Sequence, residues 1–205
     1  MDTVVIQEKK APVLTQAQFK QAVATARTHD QGSRNVALLY FSAALGLRAK
    51  EMSQILVRDV LTADGKMKDE VLLTRATTKG GKQRLVYLTN KEVRKALTAY
   101  LQDRRRDEAK PLLPSSALFR SRKGGGFSPN TMQMLFKRMY RSAGLDHASS
   151  HSGRRTFATS LIERGVDIKA VSSLMGHSTV AMTAHYVDDN PVRLRRVCEE
   201  VSIGV

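Results

Sequence analysis

Cysteine is almost absent from this 205-residue chain. Its single example, Cys198, excludes an intramolecular disulfide framework and any cysteine-based zinc site. Tryptophan is missing and aromatics make up only 5% of the residues. Long apolar runs are lacking too. The longest, Val36–Leu47, is interrupted by a serine and falls well short of the roughly 20 residues that cross a bilayer. The N-terminus, MDTVVIQEKK, has no charged-then-apolar signal pattern. Acidic residues are scarce against basic ones, 19 to 34, for a formal charge of +15. What remains is 41% hydrophobic, enough to bury a core. The length suits one domain. These features predict a soluble, cytoplasmic, single-domain protein with no membrane partner.

The placement of the charge narrows the reading. Residues 1–102 carry a net +8 and residues 103–205 a net +7, so the excess is spread through the folded region and is not a basic tail. A globular surface of this kind suits a polyanion, with phosphate neutralisation supplying most of the affinity. A merely basic soluble protein has the same composition.

Residues 1–14 read as a flexible lead-in. Thr15-Gln16-Ala17-Gln18 has the form of a capping box, followed by Phe19, Ala22, Val23 and Ala26 at helical spacing. Ser33 is placed to cap a second helix that Gly46 ends, and a short third one is expected around 49–55. Val57–Leu61, Val71–Thr74 and Arg84–Leu88 are β-rich runs separated by Asp64-Gly65 and Lys79-Gly80-Gly81-Lys82. They predict a three-stranded antiparallel sheet with the Gly-Gly turn as a hairpin tip. Helices follow from Asn90 and from Ser128-Pro129, with Met132, Leu135, Phe136 and Met139 as core. Shorter helices are expected around 152–164, 167–175 and 179–187, and a last one from Pro191. The fold class is mainly α with one small sheet.

Five local signals carry chemistry. Gly46-Leu47-Arg48 with Glu51 follows a helix stop. Thr78-Lys79-Gly80 sits on the hairpin tip. His151 and Arg154 stand one helical turn apart and share a face. Gly176-His177 follows a helix end, and Tyr186 comes nine residues later. Taken singly, each has an ordinary reading. H-x-x-R arises about 0.5 times in a random order of this composition. Tyr186 could belong to an amphipathic helix, His177 could satisfy helix-end carbonyls, and Lys79 and Lys82 could be solvated turn charges. The run Arg104-Arg105-Arg106 reads as a solvated helix face, with phosphate contact as the alternative. His185 reads as structural, and His29 and His147 as surface residues.

In combination and in this order, the signals resemble the catalytic domain of the tyrosine recombinase (phage integrase) family, over about Thr15 to Val187. Leu118-Phe119 and Arg155-Thr156-Phe157-Ala158-Thr159 agree as well. The resemblance implies that family's catalytic-domain fold over 15–190. It also implies the catalytic residues Arg48, Lys79, His151, Arg154, His177 and Tyr186, with Glu51 in support and Lys82, Arg84 and Arg155 as candidate DNA contacts. Most family members carry a separate N-terminal DNA-binding domain for which this chain has no room. It looks similar to the short fimbrial phase-switch recombinases, or to a catalytic domain cut from a longer integrase.

The chemistry implied is cleavage and rejoining of DNA through a 3′-phosphotyrosyl intermediate. A phenol ionises near pH ~10 and is a poor nucleophile without help. Two guanidiniums can absorb the charge of the pentacovalent state. His151 is the candidate proton acceptor, His177 a donor to a phosphate oxygen, and Lys79 the acid for the departing 5′ hydroxyl. Because one phosphoester replaces another, no ATP is needed, and no metal or cofactor is implied. The partners implied are double-stranded DNA, a tetramer assembled on it from monomers or weak oligomers, and accessory DNA-bending proteins, in a nucleoid-associated setting of the kind mobile elements use. Residues 191–205, a C-terminal helix or tail, either pack on their own domain or pass to a neighbouring protomer. Two rival activities remain: a catalytically silent DNA-binding accessory protein of the same fold, and a type IB-like topoisomerase.

Overall fold

Helix α1 (Gln16–Arg27) begins where the capping box expects it. The Thr15 hydroxyl accepts from the Gln18 amide at 3.2 Å, and the Gln18 side chain accepts from the Thr15 amide at 2.9 Å. In this computed structural model the described residues are 11–74, 83–108, 111–184, 186 and 198–199. Most of the lead-in, the Lys79–Lys82 turn, His185 and nearly all of the C-terminal segment from Pro191 therefore lie outside them.

Helix α2 (Gly32–Leu45) starts one residue before the expected cap Ser33 and has no side-chain cap. It compensates by burial, with Ala37, Leu38, Leu39, Phe41 and Ser42 inaccessible to solvent. A helix apolar all round is a central one, and α2 packs against α1, α5 (Lys91–Glu108) and α7 (Ser150–Glu163). Gly46 then ends it in the left-handed conformation, φ 64°. Helix α3 (Ala49–Gln54) follows immediately.

The sheet has two strands among the described residues, not the expected three. β1 (Glu70–Leu73) pairs antiparallel with β2 (Arg84–Tyr87), Glu70 opposite Tyr87 and Leu73 opposite Arg84. The third run, Val57–Leu61, forms instead a single helical turn, α4 (Val57–Val60). The Asp59 carboxylate accepts from the Leu56 amide at 2.8 Å, a helix-start bond, and Val57 and Val60 bury together at helical spacing. Among the described residues its pairing is limited to isolated bridges, Leu56 to Ala117 and Leu61 to Met67, with single backbone bonds from Val57 to Ser116 and from Arg58 to Pro114.

Helix α5 is capped by Asn90 as expected, its side-chain oxygen accepting from the Glu92 and Val93 amides. Arg104 departs from the solvated face assigned to its run. It follows Leu97 and Leu101 on the inward stripe and is buried. It donates to the carbonyls of Ala117 (2.6 Å) and Leu118 (2.8 Å) and pairs with Glu108. Arg105 and Arg106 remain exposed. Ser128 caps α6 (Pro129–Ser142), whose Met132, Leu135, Phe136 and Met139 are core. Helices α8 (Ile168–Met175) and α9 (Ala181–Ala184) complete the described elements; α8 packs on α7 around Ala158, Ile162, Val171 and Met175, and α9 packs on α8.

The approach of α7 to α2 sets where Arg154 emerges. At Gly153 a Cβ would stand 2.4 Å from the Ser42 oxygen and 2.9 Å from its Cβ, so this helix crossing admits only glycine. Gly153→Ala gains about 1 kcal/mol of helix propensity, but relieving the overlap costs about 1–3 kcal/mol. The expected outcome is a lower urea midpoint at unchanged slope. A raised midpoint would contradict this packing.

Candidate active site

The Gly46 turn places Arg48 at the start of α3, where Glu51 reaches back to it. One Glu51 oxygen accepts from the Arg48 amide at 2.7 Å and the other from the Arg48 guanidinium at 2.8 Å. Glu51 is wholly buried, and its first oxygen also accepts from Arg84 of β2 at 2.8 Å. Arg154 enters from α7 and is equally enclosed at 3% exposure. It donates to the carbonyls of Gly46 and of Met175, the latter at 2.5 Å. Arg48 donates to the Gly176 carbonyl at 3.3 Å and Arg84 to that of Leu174. Three elements far apart in sequence thus converge on the carbonyls at the ends of α2 and α8. Among the described residues this sets three guanidiniums around one carboxylate.

Gly176 is left-handed, φ 60°, and turns the chain so that His177 faces the cluster. The His177 ring shares a hydrogen bond of 2.8 Å with the hydroxyl of buried Thr183. The Tyr186 ring stacks on it, nearly parallel, at 5.8 Å between centres. The Tyr186 amide donates to the Thr183 carbonyl at 2.9 Å, so Thr183 bonds the His177 ring through its side chain and the Tyr186 backbone through its carbonyl. Beside this lies a cleft of about 530 Å³, lined by Leu72, Arg84, Leu85 and Tyr87 from the sheet and by Leu174, Gly176 and His177 from the end of α8.

Of the residues singled out in the sequence, Arg48, Glu51, Arg154, His177 and Tyr186 come together. His151 stands exposed one turn before Arg154 on α7. Lys79 and Lys82 lie outside the described residues. Arg84, expected among the DNA contacts, is buried and binds Glu51. Strand alternation carries the signal for this, since Arg84 is in phase with inward Val86. Arg155, also expected there, donates to the Ala11 carbonyl at 2.8 Å and sits 5.9 Å above the Tyr186 ring. Thr183 carried no signal in the sequence.

The electrostatics follow from this crowding. Burial opposes ionisation of Glu51, but the charge and hydrogen bond of Arg84, the Arg48 amide and the charge of Arg154 outweigh it and hold its pKa below the usual value. Burial, then Arg48 and Arg84, pushes the Arg154 pKa down to about 9, which leaves the guanidinium charged at neutral pH. Burial and then Arg154, Arg48 and Arg84 push His177 down to about 4. The imidazole is therefore neutral throughout the physiological range.

The model of the phage integrase family matches residues 12–193. Tyrosine recombinase XerC of Pelobacter propionicus is 30% identical over 170 residues, covering 82% of this chain and 52% of that protein. Tyrosine recombinase XerD of Neisseria meningitidis serogroup B is 33% identical over 205 residues, covering 94% of this chain and 64% of that protein. The chain thus spans between about half and two thirds of the length of these curated relatives. In fold it resembles the crystal structure of XerA recombinase, with a TM-score of 0.73 at 24% identity over 95% of this chain and 67% of that one.

The depressed His177 pKa makes stability depend on pH. Between the unfolded value near 6.5 and the folded value of about 4, the unfolded chain binds a proton that the native site refuses. Stability contributed by the neutral ring is complete above that window and is lost as pH falls through it. Thermal unfolding of wild type and His177→Asn between pH 7 and 4.5 checks this. The wild-type Tm is expected to fall more steeply, and parallel curves would refute the assignment.

Proposed function

The chain belongs to the phage integrase family, and from that premise we propose that it is a site-specific DNA recombinase acting through a covalent tyrosine intermediate. The observation that carries the reading is the convergence of Arg48, Arg154 and His177 beside the Tyr186 ring, with positive charge in surplus. A phosphodiester is the ligand such a pocket suits. Each guanidinium has five N–H groups and spends two on protein oxygens, which leaves donors for the non-bridging phosphate oxygens. The same donors stabilise the additional charge of the pentacovalent state.

The step proposed is attack of the Tyr186 oxygen on phosphorus. An O–P bond to tyrosine forms, the bond to the 5′ oxygen breaks, and DNA is left as a 3′-phosphotyrosyl ester. The phenol proton passes to His151 or to water beside it. The 5′ oxygen takes a proton from Lys79, the residue the family resemblance nominates. A Thr183 hydroxyl donating to His177 Nδ1 would leave the single imidazole proton on Nε2, the tautomer that donates to a phosphate oxygen. Glu51 holds Arg48 in register. Rejoining is the reverse reaction with a new 5′ hydroxyl, and phosphoester energy is conserved throughout. The stacking of Tyr186 on His177 of its own chain supports a nucleophile supplied in cis. Double-stranded DNA is the partner, and assembly into a tetramer on it accounts for exchange between two duplexes.

Incubation with a nicked trapping duplex, followed by denaturing electrophoresis, tests this. Wild type is expected to form a protein–DNA adduct and Tyr186→Phe none. An equal adduct in both, or none in wild type, would sink the proposal, and supercoil relaxation without site preference would point to a topoisomerase.

The binding itself is expected to be dominated by phosphate contacts, given the charge carried by both halves of the chain. Affinity for a duplex measured by fluorescence anisotropy is therefore expected to fall at least about a hundredfold between 50 and 200 mM salt. A flat salt dependence would exclude this mode of binding.

A further inference from the structure

Arg84 opens β2 directly after the segment that carries Lys79 and Lys82. Its side chain is only 5% exposed, and both terminal nitrogens are committed to protein oxygens. Nη2 donates to Glu51 at 2.8 Å and to the Gly46 carbonyl at 3.4 Å, and Nη1 donates to the Leu174 carbonyl. These partners belong to three separate pieces: the first turn of α3, the end of α2 and the last turn of α8. Because Glu51 also receives the guanidinium and the amide of Arg48, one buried carboxylate bridges Arg84 to Arg48.

The stem of Arg84 occupies the space under Gly176. A Cβ at that position would lie 2.4 Å from Arg84 Cδ and 3.0 Å from its Nε. Glycine at 176 therefore serves twice, once for the left-handed turn that presents His177 and once as clearance for Arg84.

We propose that Arg84 is a positioning residue of this site. It fixes Glu51 and through it Arg48, and it fixes the Leu174–Gly176 turn that carries His177, without touching DNA. The chemistry it serves rests on the recombinase reading. Lysine cannot replace it, since a single ammonium cannot span a carboxylate and two carbonyls held in a planar fork. Without Arg84, one Glu51 oxygen keeps only a backbone amide, and burial then favours the neutral carboxyl that releases Arg48.

The test compares Arg84→Met, Arg84→Lys, Glu51→Gln and the Arg84→Met/Glu51→Gln double variant, in single-turnover cleavage of trapping DNA at saturating protein with duplex affinity measured separately. Both Arg84 variants are expected to cleave about 10–100-fold more slowly while binding DNA within about twofold of wild type. The double variant is expected to match Arg84→Met within about twofold, because the two residues act on one target. Weakened binding with an unchanged cleavage rate would make Arg84 a DNA contact and overturn the proposal. Multiplicative losses in the double variant would overturn it too, as would failure of both Arg84 variants to fold. If wild type forms no adduct, the recombinase reading fails separately. Arg84 is then judged from the NMR signal of the Arg48 guanidinium Nε–H. A slowly exchanging signal in wild type that is lost in Arg84→Met supports the proposal, and one retained in both overturns it.

Discussion

Glu51 is the hinge of the described structure: a carboxylate with no solvent exposure, held between Arg48 and Arg84 with Arg154 close enough to lower its pKa. Buried ion pairs rarely repay their desolvation through Coulomb attraction alone, and removing one member leaves a charge stranded in low dielectric. A cluster with more cations than anions repays still less. It is held by further bonds, because the guanidiniums also donate to the carbonyls of Gly46 after α2 and of Leu174, Met175 and Gly176 at the end of α8. The arrangement is thus a helix-termination problem and an anion-binding problem solved by the same side chains.

The surrounding fold reads as the means of holding those ends together. α2 runs through the core and stops at Gly46, whose carbonyl takes both Arg154 and Arg84. α7 lies close enough to α2, at Gly153 over Ser42, to bring Arg154 to that carbonyl. Gly176 closes α8 and leaves room for Arg84. Each glycine marks a point where backbone or side chain comes closer than a Cβ allows, and each lies at or beside a site residue. Small errors at these crossings would move guanidiniums relative to one another, which for phosphoryl chemistry matters more than any single contact.

Much of the helical frame was legible. Caps at Thr15, Asn90 and Ser128, the stops at Gly46 and Gly176 and the apolar stripe of α6 are local interactions written in a few adjacent residues. Misreadings arose where a charged or β-rich residue obeyed its neighbours' geometry rather than its own type. Asp59 turned a valine-rich run into a helical turn. Arg104 was expected on a solvated face and Arg84 among the DNA contacts, yet both sit in phase with inward apolar residues and are buried. Arg48, Arg154, His177 and Tyr186, read in order as one set, do lie together, while His151 stands exposed one turn before Arg154. That Thr183 bonds the His177 ring, or that Arg84 underlies Gly176, depends on contacts between elements and leaves no local trace.

The same crowding explains why the site is suited to an anion rather than to another basic ligand. Arg154 stays charged although burial and its cationic neighbours displace its pKa downward, so it carries an electrostatic penalty that a phosphate in the pocket would relieve. Relief is reciprocal: the group that lowers the penalty is bound more tightly by the same amount. On the recombinase reading, charge grows further as phosphorus becomes five-coordinate, and the penalty falls most in that state. Stability withheld from the free fold is then returned preferentially to the transition state. On that reading, three arginines around one carboxylate serve the transition state, where two would have made a quieter core.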